Sequence, residues 1–349
     1  MATRSLPSVK RHFSVIPHSP DVVELRYGGW NAQSYTLTDG SGGGSLHHVL
    51  ALLDGSRSLG EVAREAGVPR KDVQSVVDHL RELGAVDDGP TNALDSYVDR
   101  VTPTLLPFGG GSVEKIHPPM VVGGTAAANR VANLLEESLS EASVVIERTG
   151  DDALLGLAAR SQEVLGDGFD FAEAAAPFES WRDRLVIAPF PFVRPHVALM
   201  LNRLAMHHGF SWLHAVIDGP ALIIGPLTVP SRSSCFECFE ARVSMNLRES
   251  ASYLRYKQAL AQGRDRGVRL ELDPVLDAML GSLMSFEALN FLLTGTTFTV
   301  GKALSLYLPT MEFTFNEVLR MPGCPGCGPE TYAQDTELYF DVRAILGED

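Results

Sequence analysis

The stretches SSCFECFEARV (Ser233–Val243) and PGCPGCG (Pro322–Gly328) hold all four cysteines of the chain, Cys235, Cys238, Cys324 and Cys327. They fall as two C-x-x-C pairs with no thiol left over. A C-x-x-C turn presents two thiolates from one tight knuckle, and two knuckles complete a tetrahedral site with no open position for a substrate. Closing the loop between the pairs costs about 4 kcal/mol. Structural zinc is worth about 10–16 kcal/mol in small zinc peptides. The metal term exceeds the closure cost, so the pattern predicts a structural zinc that pins distant parts of one domain together. Redox dithiols and an iron–sulfur cluster are the other readings of four paired thiols.

Composition agrees with a reduced, metal-bearing protein. The 349 residues are 45% hydrophobic, enough for two domains with buried cores. The N-terminal segment has no apolar run long enough for a secretion signal, and no membrane-length apolar run follows, which predicts a cytoplasmic protein without a membrane partner. A net charge of −14 leaves no overall positive field to gather phosphates and argues against nucleic acid.

Residues 21–38, DVVELRYGGWNAQSYTLT, read as two strands around a Gly-Gly-Trp-Asn turn, with Gln33, Tyr35 and Leu37 on one face; HFSVIP just before them offers a third strand. Three helix-sized pieces follow. Ser45 and Ser58 stand where N-caps belong, Glu61 completes a capping box, and Gly55, Gly67 and Gly84 stand where helices stop. Val73, Val76, Val77 and Leu80 form one stripe of the third helix, the pattern of a small winged helix-turn-helix. Arg64, Arg70, Lys71 and Arg81 are outweighed by Glu61, Glu65, Asp72, Asp78 and Glu82, an unsuitable frame for a DNA-recognition helix. An exposed sheet edge beside a helix suits instead an extended peptide added as another strand.

Residues 89–119 are rich in Pro, Gly and Asp and read as a linker. MVVGGTAAANRVANLLEESL (Met120–Leu139) then reads as strand, Gly-Gly turn and helix, and ASVVIERT (142–149) as a second strand with Glu147 at its tip, where an acid suits a ribose hydroxyl. The glycine fingerprint is incomplete, so Gly123 and Gly124 serve a tight turn or a weak nucleotide site. Further strands at 183–190 and 211–230, with a helix between them, predict a parallel or mixed sheet flanked by helices. His207 and His208 end a helix favourably, and His214 reads as a packed, hydrogen-bonded strand residue.

Leu52–Val86, LLDGSRSLGEVAREAGVPRKDVQSVVDHLRELGAV, resembles the PqqD-type peptide-recognition element, which implies a leader-peptide-binding domain over residues 1–88. The order of elements from 120, with its two C-x-x-C pairs, resembles the ThiF/MoeB fold of ubiquitin-activating-type adenylating enzymes, which implies a Rossmann-like α/β domain over 120–349 with four-cysteine zinc. Joined, the two halves resemble the ThiF-like partner proteins of azole-forming peptide pathways. Active adenylating members carry a magnesium-binding Asp after the third strand, where this chain reads APFPFVRPHVALMLNR. The resemblance therefore implies a non-catalytic scaffold. It would capture a precursor's leader through Gln33, Tyr35, Leu37, Val73, Val76, Val77 and Leu80, and present it to a YcaO-type cyclodehydratase that forms azolines from Cys, Ser or Thr. It also implies a possible homodimer. The alternative is an ATP-dependent peptide-adenylating enzyme, which Glu147 keeps open.

Overall fold

Alternating Val23 and Leu25, both fully buried, set the inner face of the first sheet in this computed structural model. The structure describes residues 6–30, 33–88, 94, 97, 118–142, 144–165, 168–262, 264 and 272–328. It divides into two compact units, 1–110 and 111–349. Most of the linker expected over 89–119, and the chain beyond 328, lie outside the described residues.

In the first unit, β1 (Pro7–Val9) precedes an antiparallel sheet of β2 (Ser14–Ser19), β3 (Val22–Tyr27) and β4 (Gln33–Thr38), in that spatial order. Helices α1 (Leu46–Leu52), α2 (Leu59–Ala66) and α3 (Arg70–Glu82) follow, then β5 (Val86–Asp88), which pairs with β1. The capping box forms: the Ser58 N–H donates to the Glu61 carboxylate at 2.8 Å. Ser45 precedes α1 but makes no side-chain cap bond. Val73, Val77 and Leu80 turn inward from α3 onto Val23, Leu25 and Leu37, one continuous apolar core. Among the described residues no hairpin follows α3; the strand after it returns to β1 instead.

The second unit is built on a seven-stranded mixed sheet. Its elements run β6 (Pro119–Val122), α4 (Ala126–Ser138), β7 (Glu147–Thr149), α5 (Asp152–Ala159), α6 (Ser161–Val164), α7 (Gly168–Ala175), β8 (Leu185–Phe190), α8 (Pro195–His208), β9 (Ser211–Asp218), β10 (Ala221–Ile224), α9 (Phe236–Asn246), α10 (Ser250–Ala261), α11 (Pro274–Thr294), β11 (Lys302–Tyr307) and β12 (Glu312–Glu317). The spatial order is β12-β11-β10-β9-β8-β6-β7, with β7, β6, β8 and β9 parallel and β10–β12 antiparallel. All six β8 residues are buried, as a central strand covered on both faces requires.

Two expectations change here. The strand read over 211–230 is a hairpin, because Gly219 takes a positive φ of 55° and Pro220 has no N–H to continue a ladder. The strand read over 142–149 shrinks to Glu147–Thr149, because its partner β6 starts at Pro119, which offers no N–H to residues before Glu147. α11 is long and apolar enough to cross a membrane by length and composition, yet 56% of its most apolar window is buried inside the unit. Its Glu287 carboxylate accepts bonds from the Thr297 hydroxyl at 2.6 Å and the Thr299 N–H at 3.0 Å.

Candidate functional site

The two C-x-x-C segments converge. Cys235 caps the N-terminus of α9 and Cys238 lies on its first turn, while Cys324 and Cys327 approach from the loop after β12. Their sulfurs lie 3.9 Å apart within the first pair, 3.6 Å from Cys235 to Cys324 and 3.5 Å from Cys238 to Cys327. All four fall within 4.8 Å of one another, buried and free of disulfides. A tetrahedron with metal–sulfur bonds of about 2.3 Å has edges of about 3.8 Å, so the cage fits one ion of the kind that takes four thiolates.

The thiols divide: Cys235 is pushed far above the usual thiol range by its hydrogen bonds with Cys238 and Cys327, whereas Cys238 is held far below it, first by the hydrogen bond from Cys235 and then by that from Cys327. The Met321 N–H adds a bond to the same sulfur at 3.4 Å. Buried thiolates need a cation to offset their charge. Gly328 allows the second knuckle to close: its N–H donates to the Cys324 carbonyl at 2.7 Å, and a Cβ there would stand 2.5 Å from that oxygen.

A clasp of polar side chains joins the knuckles apart from any metal. Glu237, between the first two cysteines, pairs with Arg203 of α8 at 2.6 Å and accepts from the Asn202 amide at 3.0 Å. Arg203 also donates to the Pro325 carbonyl, inside the second knuckle, at 2.6 Å. Asn202 in turn receives the Phe236 N–H at 3.0 Å. Burial pushes the Glu237 carboxyl up, with Arg203 opposing it.

The Gly-Gly turn after β6 carries Gly123 at φ +109°, a conformation that L side chains rarely adopt, and Thr125 caps α4 by accepting the Ala128 N–H at 3.2 Å. Glu147 does not stand beside this turn. It opens β7 opposite Met120 and pairs with Arg184 at 2.7 Å, whereas Thr149 at the strand's end lies opposite Val122 and accepts the Gly123 N–H at 2.9 Å. The expectation of an acid at the tip is corrected, because in this register the tip residue is Thr149. At the end of β8, Arg194 lies 4.0 Å from Asp151 and stacks over Phe192 at 4.5 Å.

In the first unit a groove of about 900 Å³ runs between β4 and α3. Of the residues singled out from the sequence, Leu37, Val73 and Val76 line it. Val77 and Leu80 are core at 0% exposure, and Gln33 and Tyr35 lie off the groove, bonded to each other at 2.8 Å. β4 is an edge strand. The Asp39 N–H donates to the Asp21 carbonyl at 2.9 Å, which sets the phase of the ladder. Bonded and unbonded pairs alternate, so Gln33, Tyr35 and Leu37 spend their backbone groups on β3 and Ser34, Thr36 and Thr38 direct theirs to the free edge. Those three residues went unnoticed in the sequence, where side-chain alternation shows but ladder phase does not.

The histidines differ from one another. His208 bonds the Ala175 carbonyl at 2.8 Å and His207 packs edge-on to Phe171. His214 is packed as expected, but the expected hydrogen bond is missing: its Nδ1 is buried without a partner, and burial lowers its pKa to about 3.

No protein-family model and no curated protein matches the chain. Among solved structures, the heterocyclase TruD superposes with a TM-score of 0.64 at 19% identity, covering 93% of this chain and 43% of that one. A heterocyclase in complex with substrate and cofactor gives 0.66 at 16% identity, over 93% and 40%. E. coli MccB with ATP gives 0.53 at 13% identity, over 92% and 99%. The chain thus spans about two fifths of the length of the heterocyclases and nearly all of MccB. At such identities the likeness is one of fold, and a coverage above nine tenths takes in both units.

Proposed function

We propose that the chain captures the leader of a ribosomally made precursor peptide and presents it to a YcaO-type, ATP-dependent cyclodehydratase that forms azolines from Cys, Ser or Thr. Residues 1–88 act as the PqqD-like, winged-helix recognition domain, 89–119 as linker, and 120–349 as a ThiF-like body held by structural zinc at the four cysteines. One observation carries this reading: the free edge of β4 opens onto the groove against α3. A leader adding there as a strand satisfies Ser34, Thr36 and Thr38 and drops alternate side chains toward Leu37, Val73 and Val76. Fold likeness to TruD and to MccB, which has been solved with N-formylated MccA, supports a role around peptides.

The second reading, a peptide-adenylating enzyme, is favoured by the match across 99% of MccB. The segment Leu185–Arg194 counts against it, since it contains no carboxylate of its own to hold magnesium and Glu147 is bound to Arg184. The acids at the strand ends are Asp151, beside Arg194, and Asp218, which closes β9. Fluorescence polarisation with leader peptides encoded beside the gene, on the full chain and on residues 1–110, tests the proposal. Binding retained by the fragment and indifferent to ATP is expected; no binding by either overturns capture. ATP-dependent pyrophosphate exchange by the purified chain would instead establish adenylation.

A further inference from the structure

A cavity of about 460 Å³ lies within the second unit and shares no residue with the four-cysteine cage or the Gly-Gly turn. The ends of β8, β9 and β10 form its floor through Phe190, Val216 and Ile223, and α8, α9 and α10 wall it. Its size and apolar lining are those of small-molecule sites, which span about 300–1,000 Å³. Val243, Leu247 and Tyr256, apolar or aromatic residues of the lining, are 36%, 39% and 45% exposed.

The polar groups in this wall separate into spent and unspent. Glu240 is engaged by the Tyr253 hydroxyl at 3.2 Å and Lys257 at 2.5 Å. Arg194 lies beside Asp151 and over Phe192. His214, 3% exposed, makes no side-chain hydrogen bond, and its Nδ1 is buried without a partner. Its ring stands edge-on to Phe236 at 5.1 Å and to Phe239 at 6.2 Å. Nδ1 is closed to the cavity as well as unpartnered, so Nε2, which is not among the sealed atoms and has no hydrogen bond, is the ring nitrogen left to meet a ligand. Glu240 and Arg194 are matched to protein partners, Asp218 adds a negative charge at the exposed rim, and the imidazole is kept neutral by burial, so no unmatched cation there selects a phosphate or a carboxylate.

We infer that this cavity binds a neutral aromatic group carrying one hydrogen-bonding function, held among Phe236, Phe239 and Tyr253 and oriented by His214. Such a group comes either from a free small molecule or from a tyrosine-like side chain of a peptide. The site stands whether or not the first unit captures leaders.

Ligand-observed saturation-transfer NMR on the full chain tests it with p-cresol and toluene, which differ by the hydroxyl. p-Cresol is expected to bind roughly 2- to 12-fold tighter, the worth of one hydrogen bond. The ratio should collapse to about one in His214→Phe, and Ala198→Trp, at a lining residue 3% exposed, should abolish both signals by filling the cavity while circular dichroism shows the variant folded. Absence of p-cresol binding to the wild type, equal binding of toluene, or binding undiminished by Ala198→Trp overturns the inference. Should His214→Phe fail to fold, the wild-type ratio and Ala198→Trp decide. N-acetyltyrosinamide identifies the source: its binding supports the site as one for a peptide side chain, and p-cresol binding alone supports it as one for a free molecule.

Discussion

Replacing Thr36 by proline separates the edge of β4 from its ladder. The Thr36 N–H points away from β3, so Thr36→Pro deletes an outward donor and leaves the bonds of Tyr35 and Leu37 in place. The cost to the fold is on the order of 1 kcal/mol, because proline is tolerated on edge strands where the missing N–H faced solvent. The cost to an added strand is larger. One backbone bond is worth about 0.5–1.5 kcal/mol, or roughly 2- to 12-fold in affinity. The ring also stands where the incoming chain must lie, so the bonds at Ser34 and Thr38 weaken with it and the loss should reach roughly 100-fold. Leu37→Pro is the contrasting variant: it removes a donor to β3 at a residue 7% exposed and should unfold the first unit. Polarisation titrations with a labelled leader, beside thermal melts by circular dichroism, read both quantities. A Thr36→Pro protein that melts near the wild type and binds with wild-type affinity would refute docking on β4.

Val76→Asp should cost affinity of about ten-fold or more with little loss of stability, since Val76 lines the groove and is only partly buried, whereas Val77→Asp should unfold the unit. Mass spectrometry of the metal should find one zinc per chain, and Cys324→Ala should lower that content and the stability of the second unit while leader binding persists; equal loss of both would sink the division of labour. Arg203→Met strands Glu237, 8% exposed, without its cation, at a cost of roughly 3–5 kcal/mol near pH 7. Burial already lifts the Glu237 carboxyl above its ordinary 4.5, and removing Arg203 lifts it further. The folded state then holds the proton more tightly than the unfolded state, so stability is lost as pH rises from about 4.5 through the folded pKa. Denaturant titrations should therefore show a smaller Arg203→Met penalty at pH 5 than at pH 7.

Local rules made much of the molecule legible. The capping box at Ser58 and Glu61, the glycine stop at Gly67 and the inward stripe of α3 all follow from short-range chemistry and are observed. The four cysteines pointed to their own convergence, because two C-x-x-C pairs without a remainder suit the four ligands of one site, and the sulfurs do lie together. What stayed hidden depends on register. The position of Glu147 relative to the Gly-Gly turn turns on where β7 begins, and that is set by Pro119 across the sheet. Which backbone groups of β4 face outward turns on one bond between Asp39 and Asp21. The Arg203–Glu237 clasp joins residues far apart in sequence, and the spare imbalance of His214 is visible only once its neighbours are in place.

An edge strand alone cannot tell a leader from any other extended chain, because backbone groups carry no sequence. Three outward residues of β4 offer affinity without discrimination, so discrimination must come from side chains that enter the groove. Side chains of an added strand alternate between faces with a period of two. One set turns toward Leu37, Val73 and Val76, where apolar residues gain by burial; the other turns away. Asp39, Asp72 and His79 line the polar part of the same groove and leave it without a strong positive field for an acidic anchor. An alanine scan of the bound leader should therefore show losses at every second position across about five residues, largest at aliphatic or aromatic side chains. Losses spaced three and four apart would mean that the leader binds as a helix, and the β4 edge would then have no part in its recognition.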